Sequence, residues 1–334
     1  MAYKVAINGF GRIGRLTLRN LLKKRDIEVV AINDLTDNAT LAHLFQYDSA
    51  QGQYPEKVTS TKDSIKIGRK SIKAFTERDP RKLPWKKLKV DIVLECTGFF
   101  RDKEKAGYHL KAGAKKVVLS APGKGDGITT IVLGVNDNMI KAKTKIYSNA
   151  SCTTNCLSPL VKIIDENWGI QAGNITTTHA YTAAQKIQDA PHADLRRARA
   201  CAINIVPTST GAAVATSLVY PPIKDKLMAI SLRVPVVTGS IIELIVTTDK
   251  KVTVPKVNAA FKKAAKKMKG ILQYEEAPIV SSDIIGNSHS CIFDSLLTKV
   301  QGTNMLKVIA WYDNEAGYSA RLADTTRKVA MAKK

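Results

Sequence analysis

Two residues in this chain have the type and setting for covalent chemistry. Cys152 lies in the run Ser148-Asn149-Ala150-Ser151-Cys152-Thr153-Thr154-Asn155-Cys156. From Cys156 onward, Leu157, Leu160, Val161, Ile163 and Ile164 recur at helical spacing. That predicts Cys152 at a helix N-terminus, where the positive end of the helix dipole favours a thiolate. An unperturbed thiol titrates near ~8.5, so such help matters around neutral pH. Burial as a small hydrophobe suits a free cysteine equally well, and the residues alone leave both readings open. Cys156, one turn on, falls on the apolar face and is expected in the core. His179 stands near the end of a strand-like run from Ile175 to Thr182. Histidine is the natural base near pH 7. Beside a cysteine it would activate the nucleophile, although spacing does not place the two together. C-x3-C at Cys152 and Cys156 lacks further Cys or His ligands at short spacing, so no metal site is expected.

A second constellation opens the chain. Val5-Ala6-Ile7 reads as a strand, followed by Gly9, Gly11 and Gly14 in G-x-G-x-x-G order and a helical pattern with Leu16, Leu18, Leu21 and Leu22. In that context the glycines permit a tight turn, close approach to a pyrophosphate and close helix–strand packing. The helix start offers oriented N–H groups to phosphates. A next strand, Val29 to Ile32, ends at Asn33-Asp34, and Asp34 stands 20 residues beyond Gly14. An acidic side chain there accepts from the ribose hydroxyls of NAD and repels the 2′-phosphate of NADP; a turn or cap role is the alternative. NAD with a cysteine nucleophile suggests aldehyde oxidation through a hemithioacetal and a thioester.

These groups need a scaffold. Ile92-Val93-Leu94 and Val117-Val118-Leu119 end in Thr97-Gly98 and Ser120-Ala121-Pro122, as strands lining the crevice of a doubly wound sheet do. Residues 103–113 read as a helix between them. Alternating pieces at 64–67 and 72–75 predict antiparallel strands inserted in this domain. The expected fold is α/β: a doubly wound Rossmann domain over 1–150, then an α+β catalytic domain over 151–314 with a mainly antiparallel sheet. The 334 residues, 44% hydrophobic, suffice for both cores. No run approaches the ~18 apolar residues of a membrane span. Met1-Ala2-Tyr3-Lys4 runs directly into a strand pattern, and five cysteines form no paired framework. A reducing cytoplasmic setting is therefore expected. The net charge of +23 is spread along the chain. Its densest run, Lys262 to Lys269, fills one face of a helix whose other face carries Val257, Phe261 and Ala264, between Pro255 and Gly270.

At this point the residues resemble a known family, the phosphorylating glyceraldehyde-3-phosphate dehydrogenases. Ala150 to Cys156 is similar to the family's active-site signature. The likeness extends, in the family's order, through Val5 to Arg15, Glu77-Arg78-Asp79-Pro80, Thr97 to Phe100, His179 to Thr182, Asp194 to Arg199, Pro207 to Ala213, Arg233-Val234-Pro235 and Trp311 to Tyr318. The resemblance implies Cys152 as nucleophile and His179 as acid/base. It implies Arg12 and Ile13 against the pyrophosphate, with Gly9, Gly11 and Gly14 in the same turn, and Asp34 on the adenosine ribose. Arg78, Thr97 and Ser120 would add cofactor contacts, and Asn314 would hold the nicotinamide carboxamide. Thr182 and Arg233 would bind the substrate's phosphate. Ser151, Thr153, Thr210, Gly211 and Arg197 would receive inorganic phosphate. It also implies NAD as cofactor, a homotetramer, a loop over about 180–205 reaching a neighbouring subunit, and a last helix, about 315–334, packed on the first domain.

The chain departs from the family at Ala183-Ala184, at Val236 to Ser240 and at Val214. Ala190-Pro191 replaces a common Leu-Pro facing the adenosine ribose, which makes room for NADP while Asp34 opposes it. The rival enzyme reading is an erythrose-4-phosphate dehydrogenase on the same scaffold. A nucleic-acid or surface-binding protein on this fold is the rival of another class. No dedicated nucleic-acid motif is present, so nucleic acid is expected only as a secondary, salt-sensitive partner.

Overall fold

The computed structural model describes residues 2–332. The chain divides into two compact units: Met1–Ile131 with Asp137–Ala150 and Ser319–Lys334, and Val132–Asn136 with Ser151–Tyr318.

The first unit is built on a nine-stranded sheet. Its middle is the opening strand, Tyr3–Asn8, flanked by Ile27–Asn33 and Ile92–Glu95, both parallel to it. Lys116–Leu119 and Ile146–Ser148 continue the parallel order. Val5, Ala6, Ile7, Val93 and Val118 are fully buried, as strands covered on both faces require. The chain winds outward on one side of the first strand and then returns to its other side. That reversal opens a crevice beyond the carboxyl ends of Tyr3–Asn8 and Ile92–Glu95. The strands Val58–Thr61, Ser64–Ile67 and Lys70–Phe75 pair antiparallel with one another. They join the same sheet, because Lys70–Phe75 lies parallel to Ile27–Asn33. The helix Ala316–Met331 is tied within this unit by Lys24–Asp324 at 2.5 Å, Arg327–Asp26 at 2.6 Å and Thr325–Asn149 at 2.7 Å. The expected reach of this helix over Lys333 and Lys334 lies outside the described residues.

The second unit holds a seven-stranded mixed sheet. Four of its pairings are antiparallel, and two are parallel: Ile170–Ala180 with Leu227–Val234, and Leu272–Glu275 with Cys291–Gln301. Alternate residues of Ser240–Thr248 are buried, so one face carries the core. The helices Cys152–Trp168, Ala212–Val219 and Val254–Lys267 supply its cover. Leu157, Leu160, Val161 and Ile164 meet Leu244, Phe293 and Val308 there. Phe261 stacks on Phe293 with centroids 3.9 Å apart. Val254–Lys267 buries Val257 and Phe261, turns its lysines outward, and stops before Gly270.

Candidate active site

In the first unit the crevice is a cavity of about 470 Å³, lined by Gly9, Gly11, Asp34, Arg78, Thr97 and Phe99 among others. The glycine turn is shaped by sterics. Gly9 has φ +91°, and a Cβ there would lie 2.7 Å from the Cys96 backbone. A Cβ on Gly14 would overlap the Gly9 carbonyl oxygen, whereas one on Gly11 would meet nothing within 4 Å. Gly9 and Gly14 are thus required by the turn itself, and Gly11 faces open space where a ligand can come close to backbone. The helix Arg12–Leu21 begins there with Gly11 as its N-cap and no side-chain cap, so its start remains able to serve an anion. Ile13 is half-buried at this start, and Arg12 gives its guanidinium to Asp48 at 2.6 Å.

Asp34 accepts the Phe10 N–H at 2.7 Å and the Thr36 N–H at 3.0 Å. It therefore has the turn role as well as a place in the cavity. A carboxylate has about four acceptor positions, so two remain for ribose hydroxyls. Arg78 is exposed at the cavity. Ser120 donates its N–H to Glu95 O at 2.9 Å and its side chain meets the Cys96 thiol, which burial pushes up to about 12.

One element here had no place in the sequence reading. Glu95 is buried and accepts from Thr97 N–H at 2.8 Å, from the Thr97 hydroxyl, from Asn8 Nδ2 at 2.6 Å and from His109 Nε2 at 3.0 Å. Trp85 Nε1 donates to His109 Nδ1 at 3.1 Å. An indole only donates, so Nδ1 carries no proton, and Nε2–H points to Glu95. The carboxylate thus holds Asn8 and Thr97, two wall residues of the cavity, in place. An acidic residue ending an apolar strand was the available signal. This donor and acceptor set, the open glycine and the uncapped helix start fit a dinucleotide.

In the second unit, Cys152 is the first residue of a 17-residue helix. Ser151 caps that helix, its Oγ accepting Thr154 N–H at 3.1 Å. Ala150, just before it, sits in the left-handed region at φ 55°, a strain of about 1–2 kcal/mol for a residue with a Cβ. His179 and Arg233 are register partners on the parallel strands Ile170–Ala180 and Leu227–Val234. That register explains their contact: Arg233 Nη1 lies 2.5 Å from His179 Nδ1 and 3.1 Å from Ala180 O. The other ring nitrogen, Nε2, lies 3.4 Å from Cys152 Sγ. The structure thus joins Cys152, His179 and Arg233, which spacing left apart. Cys156 is fully buried, as expected.

Burial raises the Cys152 thiol, while the Arg233 charge and donors from Thr153 and the Cys152 N–H pull it down. Burial outweighs the helix-terminus help expected from sequence. His179 is lowered to about 3, first by burial and then by Arg233. Both shifts favour the uncharged forms of the two groups. Tyr312 stands edge-on to the His179 ring, centroids 5.9 Å apart. Its hydroxyl bridges Thr153 Oγ1 and Thr177 Oγ1, each at 2.9 Å. Sequence reasoning gave Tyr312 no role, and the Thr153 hydroxyl, expected toward an anion, is engaged by it.

The remaining candidates lie on loops and helix starts of this unit. Thr182 N–H donates to Gln185 Oε1 at 3.3 Å. Arg197 pairs with Asp194 at 3.3 Å, donates to Ser209 O at 3.4 Å, and its charge is felt by Arg233. Gly211 is the uncapped N-cap of Ala212–Val219, with open space where a Cβ would be. Thr210 Oγ1 accepts the Ala212 N–H at 3.2 Å. Asn314 is buried, and its Oδ1 accepts from Ser240 Oγ at 2.9 Å and Gly239 N–H at 3.2 Å. With the carbonyl end held, the NH2 is the end able to serve a ligand.

Family models for the glyceraldehyde 3-phosphate dehydrogenase NAD binding domain and C-terminal domain match residues 3–103 and 151–314. The chain is 55% identical over 329 residues to glyceraldehyde-3-phosphate dehydrogenase 2 of Streptomyces avermitilis, covering 98% of each chain. It is 54% identical over 334 residues to glyceraldehyde-3-phosphate dehydrogenase of Borreliella burgdorferi, covering 98% of this chain and 99% of the other. It is 55% identical over 332 residues to the Mycobacterium tuberculosis enzyme of that name, covering 97% of each. With matches over both units and a cysteine, a histidine and an arginine brought together from three separate elements, the chain belongs to the glyceraldehyde-3-phosphate dehydrogenase family.

Proposed function

We propose that this chain oxidises D-glyceraldehyde 3-phosphate to 1,3-bisphosphoglycerate, using NAD and inorganic phosphate. The observation that carries the reading is the 3.4 Å approach of Cys152 Sγ to His179 Nε2, with Arg233 beside them. Sulfur adds to the aldehyde carbon while His179 takes the thiol proton at Nε2 and passes it to the aldehyde oxygen, giving a hemithioacetal on Cys152. Bound in the glycine-turn crevice, NAD would supply the hydride acceptor for oxidation of the hemithioacetal carbon. His179 receives the hydroxyl proton, and a thioester on Cys152 remains. Phosphate oxygen then attacks the thioester carbon, the C–S bond breaks, and the acyl phosphate leaves. Buried, preorganised donors suit the charge that develops in these steps.

Thr182 and Arg233 hold the substrate's phosphate; Ser151, Thr153, Arg197, Thr210 and Gly211 receive the attacking one. The uncapped start at Gly211 and the two arginines support that division, since anions seek helix starts and guanidinium groups. Gly9, Gly11, Arg12, Ile13 and Gly14 take the pyrophosphate, Arg12 through its backbone. Asp34 takes the ribose, Arg78, Thr97 and Ser120 line the cofactor, and the Asn314 amide fixes the nicotinamide. NAD is preferred over NADP because Asp34 is an anion; the small Ala190 leaves room for some NADP use. The domains are 1–150, with the C-terminal helix, and 151–314.

The assembly is a homotetramer. Met228, Ile230 and Met305 are exposed on the sheet face away from the core helices, and Leu195 and Ile203 on the loop after His179. Self-association would cover such apolar surface. The setting is cytoplasmic, in keeping with five free thiols. No helix among the described residues is long and apolar enough to cross a membrane.

NADH formation from glyceraldehyde 3-phosphate, with and without phosphate and with NADP in place of NAD, tests the reading. Phosphate-dependent turnover lost in Cys152→Ser is expected. Turnover indifferent to phosphate, or faster on erythrose 4-phosphate, would move the assignment to thioester hydrolysis. Salt-sensitive nucleic-acid binding that survives Cys152→Ser would add a secondary role without replacing this one.

A further inference from the structure

The buried carboxylate of Glu95 is the end point of hydrogen-bond chains that run in fixed directions. One starts at Trp85, whose indole N–H donates to His109 Nδ1, and His109 Nε2–H then donates to Glu95 Oε2. Another starts at Asn33. Its NH2 donates to Glu77 O at 2.9 Å and to Asn8 Oδ1 at 2.7 Å, while its own Oδ1 accepts Glu77 N–H at 2.9 Å. Asn8 passes the direction on, donating its NH2 to Glu95 Oε2 at 2.6 Å. The second carboxylate oxygen, Oε1, receives Thr97 N–H at 2.8 Å and the Thr97 hydroxyl. That hydroxyl is left to accept Phe99 N–H at 3.1 Å. An asparagine amide alone can point either way; an acceptor-only group at the end of the chain dictates both of these.

Glu95 is 1% exposed and forms no part of the crevice wall, whereas Asn8, Asn33, Glu77, Thr97 and Phe99 all do. His109 adds Phe100, another wall residue, whose ring meets the imidazole edge-on with centroids 6.2 Å apart. Burying a charge is a poor way to gain stability, so what this carboxylate supplies is direction. Resting on the cofactor reading of this crevice, we propose that Glu95 is a positioning residue for the dinucleotide. One anion, out of the ligand's reach, sets the Thr97–Phe99 stretch and the Glu77–Arg78 stretch together. A glutamine in its place would keep the volume but carry one C=O and one NH2. With the NH2 toward Thr97, it meets an N–H that cannot reverse. With the NH2 toward Asn8, the Asn8 amide must turn and its NH2 then meets that of Asn33. If Asn33 turns in response, both of its bonds to Glu77 are lost. A wall stretch is displaced wherever the new amide lands.

The test is calorimetric binding of NAD to the full-length chain freed of nucleotide. Glu95→Gln should weaken NAD about tenfold or more, while KM for glyceraldehyde 3-phosphate stays within about twofold. Asn8→Asp sets two carboxylates against each other and should weaken NAD similarly. The double variant Asn8→Asp/Glu95→Gln moves the anion one place along the chain. The new carboxamide then donates to the carboxylate at position 8, which still accepts from Asn33. Binding should recover at least about threefold over either single variant. Recovery is partial, because the His109 N–H loses its acceptor. Hydrogen exchange read by mass spectrometry gives a second measure: in Glu95→Gln it should quicken at residues 75–80 and at 96–100 together. NAD affinity within about twofold of the parent in a folded Glu95→Gln overturns the proposal, even if its melting temperature falls, since that marks a purely structural role. A double variant no tighter than the singles overturns it as well. If Glu95→Gln does not fold, Asn8→Asp and the double variant carry the same comparison. A parent chain that binds no NAD would sink the cofactor reading itself, and this proposal with it.

Discussion

The depressed titration of His179 makes the stability of the second unit depend on pH through one identifiable ring. In the folded chain His179 titrates at about 3, against 6.5 for an unperturbed imidazole. The unfolded chain therefore binds this proton between those two values while the folded chain does not. Stability from this group is unchanged above pH 6.5 and falls as pH drops through the window toward 3. At about pH 5 the ring alone costs on the order of 2 kcal/mol relative to pH 8, since each unit is ~1.4 kcal/mol. Replacing it by asparagine removes the titration, whatever constant cost the substitution brings. Urea unfolding followed by fluorescence of Trp168 and Trp311, both in this unit, reads the effect. The loss of stability from pH 8 to pH 5 should be smaller in His179→Asn by about 2 kcal/mol. Parallel pH dependence in the two proteins, within about 0.5 kcal/mol, would refute the argument that burial and Arg233 hold this ring neutral.

Other perturbations follow from particular contacts. Gly14→Ala drives a Cβ into the Gly9 carbonyl oxygen and must open the turn, at about 1–3 kcal/mol. Calorimetric NAD affinity should fall by an order of magnitude or more, and unchanged affinity would remove the turn from the cofactor site. Asp34→Asn keeps an oxygen for the Phe10 N–H while deleting the charge, so kcat/KM with NADP relative to NAD should rise about tenfold, a charge–charge effect of ~1–2 kcal/mol. Tyr312→Phe removes the hydroxyl that joins Thr153 and Thr177, leaving Thr177 its bond to Ile241 O at 3.3 Å, and should cost about 1 kcal/mol of unfolding free energy. A double-mutant cycle with Thr153→Val should show the two changes coupled; strict additivity would dissolve the network.

How much of this was legible in the chain depends on the distance over which each feature is decided. The glycine turn, Asp34 at the end of its strand, and Cys152 at a helix start are set by residues a few positions apart. Backbone sterics and apolar periodicity act at that range. The sequence also carried the family's motifs along almost its whole length, and with them the expected roles of His179 and Arg233. The amphipathic helix at Val254–Lys267 was readable for the same local reason, its lysines alternating with Val257 and Phe261.

Tertiary structure decided what required strands to find partners. His179 lies 27 residues from Cys152 and 54 from Arg233, and only the parallel register of two strands sets the arginine against the ring. The Tyr312 hydroxyl reaches Thr153 across 159 residues, a pairing no local pattern announces. Glu95 gathers Asn8, Thr97 and His109 for the same reason. The state of the nucleophile was beyond sequence too, because a helix start argues for a thiolate while burial, a property of the whole packed unit, argues against one and wins. The types of chemistry were written in the order of the residues; the proton positions were settled by which side chains folding buried together.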